Sequence, residues 1–446
     1  MIMKRLSTLI TLLILISTLT KAAGYDAVVA KDGSGKYTSI QEAINSAPDG
    51  RTTPYKIFIK SGTYTGQLII PASKTFIELI GEDVATTTIA YGDGRPGTPA
   101  VIVNADDCMM MNLTLENTQG RIADGPQSLA IRTNSDRLVF FNCRFVSGQD
   151  TVLTNKAGSR NYFKDCYIDG NTDFIYGAAT AVFDNCVIYC RDRIDALKNS
   201  YLTAASTPAG QTYGQVYRNC LIPSNHGITN YTLGRPWQND QRALPPGRKP
   251  VENKVVFLNT KMGTNILPVG WSVWNEKTLT NLITNAEYKT QKFDGTPVDI
   301  SKRIAWSKQL TDAEAKPYYD NTQLFGNWDP FAVWKDLSKK SPSPSIAIGN
   351  FRARPTDGSA VLEFNSSWPQ KGVTYTLYKG ADKASLKKAD QLTTKTDTTI
   401  AYQFKAELPS GNQSAYYVLK ASKGKAVVMS DTLEVNAANM MRPKRN

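Results

Sequence analysis

Histidine is nearly absent from this chain: His226 is the only one in 446 residues. That excludes a multi-His metal site and leaves any Ser-His-Asp arrangement resting on one residue without a partner motif. Long apolar runs are also scarce. After the N-terminus, no stretch is continuously apolar over the ~20 residues that a membrane-spanning helix needs, so no membrane partner is expected. Acidic residues are outnumbered, 39 against 52 Lys and Arg, for a net charge of +13. Such a balance calls for an anionic partner, which charge alone does not identify: nucleic acid, an anionic membrane and an acidic polysaccharide all qualify. The basic residues spell no recognisable nucleic-acid reading motif, so nucleic acid is the weakest of the three. With 41% hydrophobic and 20% charged residues the chain has enough apolar side chains for a sizeable core, which excludes wholesale disorder.

The one long apolar segment comes first. Lys4 and Arg5 precede an apolar run from Leu6 to Leu19, followed by the small residues Ala22, Ala23 and Gly24. This is the layout of a secretory signal peptide, so residues 1–23 are set apart from the fold and the protein is expected to be secreted or periplasmic. Export permits disulfides, and the six cysteines are an even number, but their placement points elsewhere.

One phrase recurs around four of them: Phe140-Phe141-Asn142-Cys143-Arg144-Phe145, Phe163-Lys164-Asp165-Cys166-Tyr167-Ile168, Phe183-Asp184-Asn185-Cys186-Val187-Ile188 and Tyr217-Arg218-Asn219-Cys220-Leu221-Ile222. Phe257-Leu258-Asn259-Thr260-Lys261-Met262 repeats it with Thr for Cys. Apolar alternation shifts parity at the Asn or Asp, the residue types that best tolerate a left-handed bend between two short strands. Irregular spacing between the copies fits rungs with loops of varying length, so the phrase predicts an all-β fold built as a right-handed parallel β-helix. Cys143, Cys166, Cys186 and Cys220 then stack inside as small hydrophobes. The alternative, a β-sandwich with chance repetition, would show evenly spaced hairpin signals, and none is evident.

A solenoid needs its ends covered. Ser39-Ile40-Gln41-Glu42 has capping-box spacing and opens an amphipathic stretch suited to the N-terminal end, and Thr311-Asp312-Ala313-Glu314 repeats that signal near the other. Ser338 to Pro344 reads as linker, and from Ile346 short alternating strands appear, such as Ala360 to Phe364, Thr374 to Tyr378 and Tyr416 to Ala421. The expected organisation is a signal peptide (1–23), a solenoid domain (24–337), a linker (338–345) and a small antiparallel β-sandwich (346–446) of fibronectin-III-like or similar type. The last segment carries 15 basic against 8 acidic residues.

Asp150 lies as far past Cys143 as Asp173 lies past Cys166, so the two aspartates occupy equivalent places on consecutive rungs. Adjacent strands run about 4.8 Å apart, which sets the carboxylates roughly 5 Å from each other. Like charges so close push one pKa up and make an acid and a base or nucleophile from identical side chains. The same spacing fits a retaining glycosidase, and β-helices also host lyases, polygalacturonases and non-catalytic carbohydrate binders.

The words around these residues resemble a known family. Gly148-Gln149-Asp150-Thr151, Asp173-Phe174-Ile175-Tyr176-Gly177 and Leu233-Gly234-Arg235-Pro236-Trp237 stand in the order of the signature blocks of pectin methylesterases (pectinesterases), and Gln127 to Arg132 and Asp32 to Ile44 fit as well. The resemblance implies hydrolysis of methyl-esterified polygalacturonate (pectin) by a monomer, without metal or cofactor. It makes Asp173 the nucleophile, Asp150 the acid and base, Gln127 and Gln149 the oxyanion donors and Arg235 the group that orients Asp173. Trp237, with Phe174 and Tyr176, is implied to touch the sugar. The chain departs from the family in two places: Gly66 follows Gly62-Thr63-Tyr64-Thr65 where Glu is usual, and Val152-Leu153-Thr154 lacks the usual aromatic. Both bear on subsite contacts and neither removes a catalytic group. Trp271 and Trp274 fit a sugar platform and solenoid packing equally.

Overall fold

The computed structural model describes residues 24–121, 125–193, 198–224, 228, 230–241, 249–332, 346, 348–356, 359–395, 401–407, 409, 413–430 and 432–436. The signal peptide, His226 and the linker lie outside them. Three parallel sheets of eleven, seven and eight strands form the solenoid. Each rung passes from the eleven-stranded first sheet to the eight-stranded second and then to the seven-stranded third, as in Leu138–Phe141, Arg144–Val146 and Val152–Thr154.

The repeated phrase forms the corner between the first two sheets. Asn142, Asp165, Asn185, Asn219 and Asn259 all adopt positive φ, between 48° and 55°. Two of these side chains bond to the preceding rung, Asn142 Nδ2 donating to Asn112 Oδ1 at 2.7 Å and Asn185 Nδ2 to Asp165 Oδ1 at 2.6 Å, whereas Asn259 Nδ2 donates to Tyr319 Oη at 2.7 Å. Just before the bend, the aromatic of each phrase stacks on the next. Phe140, Phe163, Phe183, Tyr217 and Phe257 follow one another at centroid separations of 4.4 to 4.7 Å, the spacing of strands in a sheet. Just after the bend sit Cys143, Cys166, Cys186 and Cys220; all six cysteines are free and buried. Each thiol of the ladder faces main-chain oxygens, as Cys166 Sγ does that of Phe140 at 3.5 Å.

Helix Ile40–Ser46 covers the N-terminal end, with Ser39 as N-cap and Ile40, Ala43 and Ile44 buried in the solenoid core. Thr311 and Glu314 complete the reciprocal capping box expected there, opening the short helix Asp312–Ala315. That segment does not close the far end. Ala315, Leu324 and Phe325 pack along the outer face of the first sheet against Val139, Tyr162 and Val182, because that face is itself apolar. The far end is filled by Ile266, Trp271, Val298, Ile304 and Trp306.

A smaller antiparallel domain follows. Strands Ile348–Thr356, Ser359–Ser366 and Ala401–Glu407 form one sheet; Lys387–Thr393, Thr374–Gly380 and Ser414–Lys423 form the other, extended by Ala426–Met429 and Leu433–Asn436. The two share a core containing Leu362, Phe364, Tyr375, Leu377, Phe404 and Leu419. The domain rests on the outer face of the second solenoid sheet, where Trp368 packs with Tyr167, Val187 and Tyr189.

Candidate active site

Strands Val152–Thr154 and Thr172–Gly177 pair in parallel, with Val152 opposite Ile175 and Leu153 opposite Tyr176. The same offset separates Asp150 from Asp173, two residues earlier. The turn before them is held in register as well: Gln127 bridges Gln149, Gln149 bridges Thr172, and Asp150 N donates to Thr172 O at 3.1 Å. Both aspartates take left-handed backbone, φ 65° and 48°, which Asp tolerates better than most residues. Gly170 allows the tight path between them, since a Cβ there would lie 2.3 Å from that of Phe174 and 2.6 Å from Gly148 O. Its value is close approach, not an unusual φ. Both carboxylates are nearly inaccessible, with 6% of Asp150 and 3% of Asp173 exposed.

Arg235 follows strand Tyr231–Gly234 and grips Asp173 with two parallel bonds, Nε to Oδ1 at 2.8 Å and Nη2 to Oδ2 at 2.5 Å. Its guanidinium lies over the rings of Tyr201 (4.0 Å) and Trp274 (4.1 Å). Cation–π contact and a two-pronged hydrogen bond together fix the plane of the Asp173 carboxylate.

Burial, reinforced by the charge on Asp173 and opposed by Arg235, pushes Asp150 up to about 8. Burial also pushes Asp173 upward, but the Arg235 bonds and the charges of Arg235 and Arg193 oppose it. Asp173, the carboxyl gripped by a cation, ionises first, and its charge helps keep the proton on Asp150. Near neutral pH the pair therefore holds one neutral acid beside one carboxylate. The side chains of Gln149 and Gln127 donate to the Asp150 carboxyl, which sets two amide N–H groups beside the carboxylate pair.

Tyr176, Trp237 and Trp274 make an aromatic wall, with centroids 5.9 and 6.4 Å apart in sequence. The two tryptophans that the sequence leaves balanced divide: Trp274 stacks on Arg235, and Trp271 is wholly buried against Phe257. Phe174 is a correction. Its side chain, expected at the sugar, is fully buried in the solenoid core, because the bend at Asp173 turns the following residue inward. Two neighbours escape a reading of the sequence. Tyr201 supplies the second face for Arg235, and Arg193 donates to Thr172 Oγ1 at 3.1 Å while adding positive charge near Asp173. Their signal is weak, since both lie in a stretch without a repeated phrase.

A buried, unequal carboxylate pair with an arginine clamp and amide donors, set on the outer face of a parallel β-helix, defines a carboxylate-based hydrolase of the solenoid class. Known proteins narrow this. The pectinesterase family model matches residues 26–327. Pectinesterase 31 of Arabidopsis thaliana is 33% identical over 304 residues, 64% of this chain and 88% of that protein. Pectinesterase 4 of the same plant is 31% identical over 64% of this chain but only 48% of its own length, so the chain spans about half of some longer relatives. Among solved structures, pectin methylesterase PemA from Erwinia chrysanthemi is 30% identical with a TM-score of 0.57, covering 69% of this chain and 99% of that one. A pectin methylesterase in complex with a hexasaccharide matches with a TM-score of 0.58 and the same identity and coverage. The chain belongs to the pectinesterase family and is a carboxylic ester hydrolase. The family match ends at residue 327 and so leaves the C-terminal domain outside it.

Proposed function

We propose that the protein removes methyl groups from esterified polygalacturonate through an aspartyl acyl-enzyme. The observation that carries this reading is the two-pronged Arg235–Asp173 pair beside an Asp150 that keeps its proton. Asp173 attacks the ester carbonyl carbon, and the carbonyl oxygen takes the negative charge. Amide N–H groups of Gln127 and Gln149 stabilise that oxyanion. The tetrahedral intermediate collapses by breaking the bond to the methoxy oxygen, to which Asp150 gives its proton, so methanol leaves and an Asp173–galacturonyl anhydride remains. Asp150, now ionised, takes a proton from water as the water attacks the galacturonyl carbonyl. The free acid departs, and Asp173 and protonated Asp150 return.

Tyr176, Trp237 and Trp274 offer faces for packing against sugar, and the net positive charge suits a polyanionic chain whose binding weakens with salt. Among the described residues no helix is long and apolar enough to cross a membrane. The signal-like N-terminus supports a secreted or periplasmic enzyme; we read it as acting on cell-wall pectin as a monomer, with residues 24–337 as its catalytic domain and residues 346–446 as a fibronectin-III-like module.

The test is methanol release from highly methylated pectin near neutral pH, in excess EDTA, with unsaturated products and new reducing ends followed in parallel. Methanol alone is expected, undiminished by the chelator. Unsaturated ends would mean a lyase, new reducing ends a glycosidase, and loss of turnover on chelation would sink the metal-free mechanism.

A further inference from the structure

We propose that the C-terminal domain is a positioning element of the esterase site, holding the turn that carries Gln149 and Asp150 through Asn365, Tyr167 and Asp169. The proposal rests on the assignment of Asp150 to the chemistry.

The interface is built rather than incidental. The outer face of a solenoid sheet is ordinarily polar, yet here Tyr167, Val187 and Leu221 form one outward column, with Tyr189 beside it. Trp368 of the C-terminal domain covers them. Without it they would expose a contiguous apolar patch. Gly349 leaves room for close approach: a Cβ there would meet Asn365 Oδ1 at 2.4 Å, and Arg144 Nη2 of the solenoid lies 3.4 Å away. Arg352 pairs with Asp192 of the solenoid and with Glu363 of its own domain.

Two of these contacts lead to the catalytic turns. Asn365 Nδ2 donates to Tyr167 Oη at 2.7 Å, and Tyr167 Oη donates to Asp169 Oδ2 at 3.2 Å. The other oxygen of Asp169 accepts from Ser147 N at 3.0 Å, and its main-chain oxygen accepts from Thr151 Oγ1 at 2.7 Å. Ser147 and Thr151 flank the Gly148-Gln149-Asp150 turn. The second contact reaches the same place. Asp192 lies between Arg191, which bonds Ser147 O and Gly120 O, and Arg193, which bonds Thr172 Oγ1 next to Asp173. A domain anchored by a buried aromatic thus grips both sides of the carboxylate pair from behind, without touching substrate.

The experiment uses the full chain with Tyr167→Phe, Asn365→Ala and the double variant, reading kcat, KM and thermal unfolding. Tyr167→Phe keeps the ring and removes only the hydroxyl, so packing survives. It is expected to lower kcat about tenfold with KM within twofold, and Asn365→Ala to lower it about threefold, since Tyr167 then keeps Asp169 but loses its own tether. The double variant should be no worse than Tyr167→Phe, because both act on one chain of bonds. A purely structural contact would lower the melting temperature and leave kcat alone. Wild-type kcat in a folded Tyr167→Phe variant overturns the proposal, as do strictly additive losses. Asp150→Asn serves beside them: an inactive Asp150→Asn with a fully active Tyr167→Phe defeats the positioning role alone, whereas an active Asp150→Asn defeats the site assignment itself.

Discussion

Two rungs of the central solenoid, those of Asn142 and Asp165, bend twice on the same backbone device. Asn142, Asp165, Asn185, Asn219 and Asn259 turn the chain from the first sheet to the second; Asp150 and Asp173 turn it from the second toward the third, all at positive φ. The difference lies in the side chains. A neutral amide both donates and accepts, so it can bond a neighbouring rung without a counter-charge, as Asn142 does by donating to Asn112. An ionised carboxylate only accepts, and stacking two forces one to keep its proton or find a cation. At the second corner both happen, Asp150 being held up to about 8 and Asp173 lying in the grip of Arg235. One bend thus serves as scaffold where amides line it, with Asp165 a single acid held by Asn185 and Lys164, and as chemistry where two carboxylates stack.

The sharpest way to break that contrast is to make the second corner resemble the first. Asp173→Asn keeps the shape and the left-handed tolerance, and removes the nucleophile. Methanol release should fall on the order of 10⁴-fold or more, with melting behaviour retained. Asp150→Asn should cost about 10²- to 10⁴-fold, the usual worth of a positioned proton donor. An Asp173→Asn protein within tenfold of wild type would remove the acyl-enzyme from consideration.

The same contrast predicts a pH dependence of stability. Asp150 titrates near 8 in the fold, against an ordinary value of 3.8. The folded state then binds more protons than the unfolded one between these values. The contribution to stability is fully present below about pH 4 and is lost as pH rises through about 8. Wild type should therefore lose melting temperature across that window, and Asp150→Asn should flatten the decline. Glu78, buried and raised to about 7, adds a parallel slope of its own, so the difference between wild type and variant is the informative quantity. Equal slopes in the two proteins would mean that Asp150 is ionised throughout.

Much of this architecture is legible in the order of residues alone. The parity shift at each Asn marks the first corner, the aromatic ahead of it marks the stack, and equal offsets from Cys143 and Cys166 place Asp150 and Asp173 on neighbouring rungs. What stays hidden depends on which side of a strand meets another part of the chain. The position two past each first-corner bend looks merely variable, reading Arg144, Tyr167, Val187, Leu221 and Lys261; its apolar middle is the seat of Trp368. The inward turn of Phe174 has a related cause. A bend at Asp173 resets which side faces inward, and simple alternation does not carry across it. Trp271 and Trp274 are inseparable by pattern because both sit in an irregular loop, where no period tells inside from outside.

The scaffold corner should answer to packing and not to charge. Phe183 stacks between Phe163 and Tyr217 at 4.6 and 4.7 Å and is wholly buried. Phe183→Ala opens a cavity in the middle of the column, and a loss of about 3–5 kcal/mol in chemical denaturation is expected. The acid limb of the pH–rate profile of whatever remains folded should not move, since no ring of the stack touches the carboxylates.

The smallest effect separates backbone from side chain at one bend. Asn185 contributes a positive φ of 54° and a bond to Asp165. Asn185→Gly keeps the first and loses the second, so it should cost about 1 kcal/mol, the usual net worth of one hydrogen bond. Asn185→Ala loses both, adding about 1–2 kcal/mol for a Cβ forced into the left-handed region. The gap between the two variants in urea denaturation measures the left-handed strain less the extra unfolded-state freedom of Gly, about 0.4–1 kcal/mol. Were they equal, the bend would owe its stability to the amide column, and the same backbone at Asp150 and Asp173 would have to be held by Arg235 and the amide donors instead of by the intrinsic tolerance of Asp for that conformation.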